Sequence, residues 1–140
     1  MIIDLVVNDW HSGAKTHMKC RELSYTISLN HPMGPKASPV AEKQNLSKSS
    51  QPGRLYVIQS EVQNFNIPYS DTFYVLNTYC LSRISSKRSR LLVYGCVRYR
   101  KSCWGIVKNF IEKNANAGLN EYFTDLGKCV WWDAVRLCLL

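Results

Sequence analysis

At 140 residues the chain suffices for one domain with a single core and is too short for two. Its apolar share of 46%, with eight Tyr, four Phe and four Trp, excludes a disordered polymer and suits an interior built on large rings. The formal net charge of +8 is uneven: between Asp71 and Glu112 stand eight Lys or Arg and no acid, which points to anionic partners, either nucleic acid or an acidic membrane leaflet.

In chain order the elements read as a series of strands closed by a helix. Residues 2–10 are β-branched and short. Residues 22–30, ELSYTISLN, alternate, with Leu23, Tyr25, Ile27 and Leu29 on one face. HPMGPK then forces an irregular loop through Pro32, Gly34 and Pro35. Residues 40–47 form a polar strand expected at an edge or facing water, and QPG turns the chain into RLYVIQSEVQNF, a long strand. Pro68 ends that run. From Thr72 to Arg83 a strand follows whose two faces are both apolar, Phe73, Val75, Tyr79 and Leu81 on one and Tyr74, Leu76 and Cys80 on the other, so one side must line an apolar hollow or both must be covered. SSKRS returns it into RLLVYGCVRYRK as a hairpin. Cys103, Trp104, Ile106, Val107, Phe110 and Ile111 then mark a helical stripe, with Ser102 as its cap, NANAG as its end and LNEYFTDL as a second short helix. No βαβ alternation is visible, so a parallel sheet is not expected. The fold class is α+β: a curved antiparallel sheet closing around a C-terminal helix.

Few residues suggest chemistry. The six cysteines include no CxxC and no zinc spacing, and His11, His17 and His31 fall in loops away from any ligand pattern, so no metal and no cofactor are expected. No nucleophile elbow or glycine-rich phosphate loop is present. An acid such as Asp71 or Glu61 inside a cavity is the one enzymatic alternative, and without a paired constellation the chain reads as non-enzymatic. The opening MIIDLVVNDW lacks a basic n-region, so reduced thiols on the cytosolic side are expected. The near-apolar ending CVWWDAVRLCLL holds Asp133 and Arg136 and is shorter than the ~20 residues a membrane span needs. A basic nucleic-acid-binding reading would use Arg83, Lys87, Arg88, Arg90, Arg98, Arg100 and Lys101, with Tyr94 and Tyr99 as stacking rings.

Three stretches in order, RLYVIQSEVQNFNIPYSDTFYVLNTYCLSR, SRLLVYGCVRYRKSCWGIVKNFIEKN and GLNEYF, with LSYTISLNHPMGPK and VAEKQ before them, resemble the ASTER (VASt) domain of the GRAM-domain sterol transporters, the Aster proteins and their fungal relatives. The resemblance runs from about residue 2 to 123 and is most like the C-type paralogue. It implies a StART-like helix-grip fold over residues 1–126, without the family's N-terminal helix, and a divergent tail at 127–140. It further implies non-enzymatic transfer of cholesterol from plasma membrane to endoplasmic reticulum at contact sites, on the cytosolic face. The sterol chamber would use Tyr25, Ile27, Leu29, Phe73, Val75, Tyr79, Trp104, Val107, Phe110 and Ile111. His31, Pro32, Met33, Gly34, Pro35 and Lys36 would form a lid, and Arg83, Lys87, Arg88 and Arg90 would hold the mouth against an anionic membrane, with no nucleic acid expected. The chain departs from the family pattern at Cys103, Asn116, Asn120 and after Leu126, which suggests a shortened or alternatively ended product whose sterol site is open to water, or a non-functional fragment.

Overall fold

The computed structural model describes residues 1–13, 18–29, 34–129 and 136–139, with Cys129 and 136–139 by backbone alone. The strands are β1 (Ile2–Val7), β2 (His11–Ser12), β3 (Lys19–Ser28), β4 (Ala37–Leu46), β5 (Leu55–Asn64), β6 (Phe73–Arg83), β7 (Ser89–Tyr99) and β8 (Arg136–Leu139); the helix α1 (Gly105–Cys129) lies between the last two. They form one sheet in the order β1-β3-β4-β5-β6-β7-β8, with β2 beside β3. From β1 to β7 every pair is antiparallel, and consecutive hairpins carry the meander through β3 to β7. The architecture is a curved antiparallel sheet with a C-terminal helix against it, the helix-grip arrangement.

Alternation decides which face α1 covers. Cross-strand partners share a face, so the pairs Phe73↔Tyr99, Val75↔Val97, Asn77↔Gly95 and Tyr79↔Val93 define the concave side of β6 and β7. Phe73, Val75 and Val93 there pack with Ile111, Leu119 and Phe123 of α1 to form the core. The closest approach is at Gly95: a Cβ there would lie 3.0 Å from Asn77 Oδ1, 3.1 Å from Leu119 and 3.2 Å from Phe123. Glycine lets the helix sit this close; a side chain there would oblige Asn77, Leu119 and Phe123 to shift by a few tenths of an ångström.

The second apolar face of β6 is therefore the convex one. Tyr74, Leu76 and Cys80 are half-buried there, and the Arg100 guanidinium stands 4.5 Å from the Tyr74 ring centroid, where a cation meets the electron-rich face.

Four expectations need correction. Residues 114–118 do not end the helix: α1 runs through them as one element of 25 residues. Ala115 and Ala117 are strong helix formers, Gly118 meets nothing, and Leu119 and Phe123 gain their burial only if the helix continues. Ser102 lies short of the first turn, which closes with Lys108 N donating to Trp104 O at 2.9 Å. The polar strand is no edge: β4 sits between β3 and β5. Last, β7 and β8 pair in parallel across α1, a crossover that only a helix-length connection permits.

Candidate functional site

The register places a band of polar groups across the middle of the concave face, one or two from each strand. Arg21↔Gln44, Gln44↔Ser60 and Ser60↔Asn77 stand side by side from β3 to β6. Glu42 is the hub. Its Oε2 accepts from Tyr25 Oη at 2.9 Å, and its Oε1 accepts from Ser60 Oγ and Gln44 Nε2, both at 2.6 Å. Arg21 Nε then donates to Gln44 Oε1 at 2.8 Å. Between this belt and the strand ends near residues 28, 37, 64 and 73 the same face bears Ile27, Val40, Val62, Phe73 and Val75. Beyond the belt lie Leu46, Ile58 and Tyr79. One polar belt divides two apolar zones.

Electrostatics follow from this burial. The Tyr25 hydroxyl has its pKa raised, first by burial and then by the adjoining Glu42 carboxylate. Tyr79 is raised too, by burial and then by the Tyr122 hydroxyl of α1 and by Glu42. Tyr99 is pushed up to about 12 by burial and by Glu112. In each case the folded protein holds the proton more tightly than the unfolded chain, whose tyrosines ionise near 10. Stability is thus intact below pH 10 and falls as pH rises through about 12. Thermal melts between pH 8 and pH 12 should show that decline beginning near pH 10, and absorbance at 295 nm should show late-ionising tyrosines that titrate normally in denaturant. Two further substitutions, Tyr79→Phe and Tyr25→Phe, should each flatten the decline.

The connections at one end of the sheet form its mouth: residues 29 and 34–36 between β3 and β4, 65–72 between β5 and β6, and 100–104 before α1. Leu29 N donates to Lys36 O across the base of the first, and Phe65 N donates to Pro39 O of β4 at the start of the second. Asp71 pairs with Lys101 across the mouth and its carboxyl is held below the usual range by that ammonium; it faces solvent, not a cavity. Tyr69 adopts φ 61°, a left-handed backbone that aromatic residues seldom take, secured by Thr72 N and Oγ1 both donating to Tyr69 O. Its ring meets Phe110 edge-on at 6.1 Å.

The residues read from the sequence as chamber wall separate into two groups. Tyr25, Ile27, Phe73, Val75, Tyr79, Val107 and Ile111 lie on the concave face or on the side of α1 turned toward it, and Leu29 continues the line of Ile27 past the end of β3. Trp104 and Phe110 do not: Trp104 is 86% exposed and Phe110 46%, with Ile106 beside them at 85%. The sheet selects the four-residue line 107, 111, 115, 119, 123; at ~100° per residue Ile106 and Phe110 fall on the far side, and Trp104 precedes the first turn. Of the lid residues, Gly34, Pro35 and Lys36 border the mouth, and His31, Pro32 and Met33 lie outside the described residues, as does His17.

The basic hairpin is also misplaced by the sequence reading. Arg83, Lys87, Arg88 and Arg90 cluster at the β6–β7 turn, and eleven-residue strands at ~3.3 Å per residue put that turn about 35 Å from the mouth. They cannot hold the mouth to a membrane, because antiparallel pairing sends successive turns to opposite ends. Glu61, the other candidate acid, is on the convex side, where it lines an open hollow of about 450 Å³ with Glu22, Lys43, Tyr74 and Arg100.

Sequence reasoning missed Glu42, Gln44 and Ser60. The signal was present: polar residues at alternate positions 42 and 44 between Val40 and Leu46 on the same face of the strand, read as exposure when they are a satisfied internal network.

Residues 2–118 match VASt, the VAD1 Analog of StAR-related lipid transfer domain. The chain belongs to the VASt family. Among curated relatives of this VASt chain, Protein Aster-B of Homo sapiens and of Mus musculus are each 42% identical over 123 residues, and Protein Aster-A of Homo sapiens is 38% identical over 123 residues. These alignments cover 88% of the VASt chain but 16–17% of each relative, so the chain spans about a sixth of their length. The relatives are of the B and A types and lend no support to a C-type assignment. Among the described residues no helix is long and apolar enough to cross a membrane.

Proposed function

We propose that the domain binds a sterol, cholesterol by family expectation, between the concave face and α1, and carries it without chemical change between plasma membrane and endoplasmic reticulum from their cytosolic sides. One observation carries the reading: a polar belt centred on Glu42 across the middle of the concave surface, with apolar side chains on both sides of it and, among the described residues, only the polar Ser38–Asn64 pair between it and the mouth. That is the complement of a rigid apolar molecule with one hydroxyl. Four residues separate Asn64 at the mouth from Ser60 on the belt, about 13 Å at ~3.3 Å per residue. A sterol entering hydroxyl first would reach toward Glu42 and Tyr25 with its rings along Ile27 and Val62, beside the Phe73–Val75 core that seats the helix. Burying roughly 300 Å² of apolar sterol at ~25 cal/mol per Å² contributes about 7 kcal/mol, enough for uptake with no catalytic group. Membership of a lipid-transfer family supports the same reading.

At the mouth, Trp104, Ile106, Phe110 and Tyr69 present rings and an aliphatic chain to the outside, with Arg100, Lys101 and Lys108 around them. In this reading those apolar groups enter the interfacial zone of a bilayer while the cations meet its headgroups.

The test is a fluorescent sterol titrated into the purified chain, then passage of that sterol between donor and acceptor vesicles. Saturable uptake by folded protein, and transfer slowed by Trp104→Ser with Ile106→Ser, is the expected result. A folded chain that takes up no sterol would overturn the proposal.

A further inference from the structure

The pole opposite the mouth has its own chemistry. Two turns meet there, residues 47–54 and 84–88, joined by Arg83 N donating to Arg54 O at 2.8 Å. Each turn is internally fixed: Ile84 N and Ser85 N donate to Arg88 O, and Gly53 takes φ 73° to close the other. The two turns and the strand ends beside them carry Lys48, Arg54, Arg83, Lys87, Arg88 and Arg90, and residues 47–55 and 83–90 contain no Asp or Glu. A hollow of about 360 Å³ opens between them, lined by Arg54, Arg83, Lys87 and Arg88 over Tyr56 and Leu81, with no acidic residue among the described ones that line it. Ile84 projects at the tip, 51% exposed.

We infer that this pole is a second docking site, for the anionic surface of a lipid bilayer. It stands about 35 Å from the mouth, several Debye lengths of ~8 Å, so its charge does not act on whatever the mouth contacts. Exposed aliphatic and aromatic groups set among cations match the headgroup boundary of an acidic leaflet, where apolar tips enter and Lys or Arg stay at the phosphate level. A nucleic acid would call for a series of stacking platforms, and among the described residues lining this hollow Tyr56 is the one ring. With both ends engaged, one molecule spans two apposed membranes. The mouth's role is taken from the reading above, whereas the second site rests on this pole's own residues.

The experiment uses the full chain with vesicles of phosphatidylcholine, with and without phosphatidylserine, followed by light scattering for clustering and flotation for binding. The wild type should cluster only the anionic vesicles, and high salt should abolish it. A variant combining Lys87→Glu and Arg90→Glu, both at exposed positions, should cluster them roughly tenfold or more slowly while still floating with vesicles and still taking up sterol. The mouth variant Trp104→Ser with Ile106→Ser should keep salt-sensitive flotation through the basic pole whether or not sterol binds, which separates this site from the transfer reading. Clustering undiminished by the charge reversal would overturn the inference, as would loss of all anionic-vesicle binding in the mouth variant. A basic pole that retains RNA or an acidic peptide but no vesicles would overturn it too.

Discussion

Replacing Phe123 by alanine is expected to cost about 3–5 kcal/mol of unfolding free energy, the range for deleting a large buried ring, and to shift the denaturant midpoint accordingly. Phe123 is 2% exposed and seats α1 on β7 through the close approach at Gly95. The cavity cannot collapse easily, because the glycine has no side chain to move into it and Asn77 Oδ1, already without a hydrogen-bond partner among the described residues, would gain none. The comparison is Tyr122→Ala, one position along the same helix and 44% exposed, which should cost far less. If the two variants melt alike, Phe123 does not anchor the helix.

Replacing Glu42 by leucine is expected to weaken sterol binding about tenfold to a hundredfold. Hydrogen bonds to a charged group contribute roughly 1.5–3 kcal/mol, and each 1.4 kcal/mol is a factor of ten in affinity. Glu42 accepts from Tyr25, Ser60 and Gln44 at once, so its loss leaves three donors searching for partners, and the belt that should receive the hydroxyl loses its acceptor. The decisive control is the same tetracyclic hydrocarbon without its hydroxyl: wild type and Glu42→Leu should bind it alike. If the variant loses both ligands equally, the effect is on folding or shape, and the hydroxyl is not held at Glu42. Circular dichroism and a thermal melt establish that the variant is folded.

The strands were legible because each is short, alternating and bounded by Pro, Gly or polar turns; the β6–β7 hairpin around SSKRS falls within a residue or two of its expected limits. Legible too was the double-faced β6, whose Phe73 and Val75 do seat a helix. What could not be read was which side of that helix the sheet would choose. Trp104 and Phe110 share an apolar stretch with Val107 and Ile111, and a pattern that wide fits several rotations about the axis. Glu42 was hidden for a related reason: a polar side chain in a strand looks the same in one sequence whether water or a tyrosine satisfies it. The pole at which a loop lies depends on counting strand reversals, and the basic hairpin was placed by charge alone.

The crossover that sets β8 beside β7 bears on how the chain assembles. Neighbours from β3 to β7 are joined by hairpins, so that meander can zip from local nuclei, whereas Leu92 must wait for Arg136 across the whole of α1. Contacts between distant stretches come late in folding. During synthesis the curved sheet therefore emerges before its gripping helix, with Phe73, Val75 and Val93 uncovered until α1 docks, and the β7–β8 pairing closes the structure last.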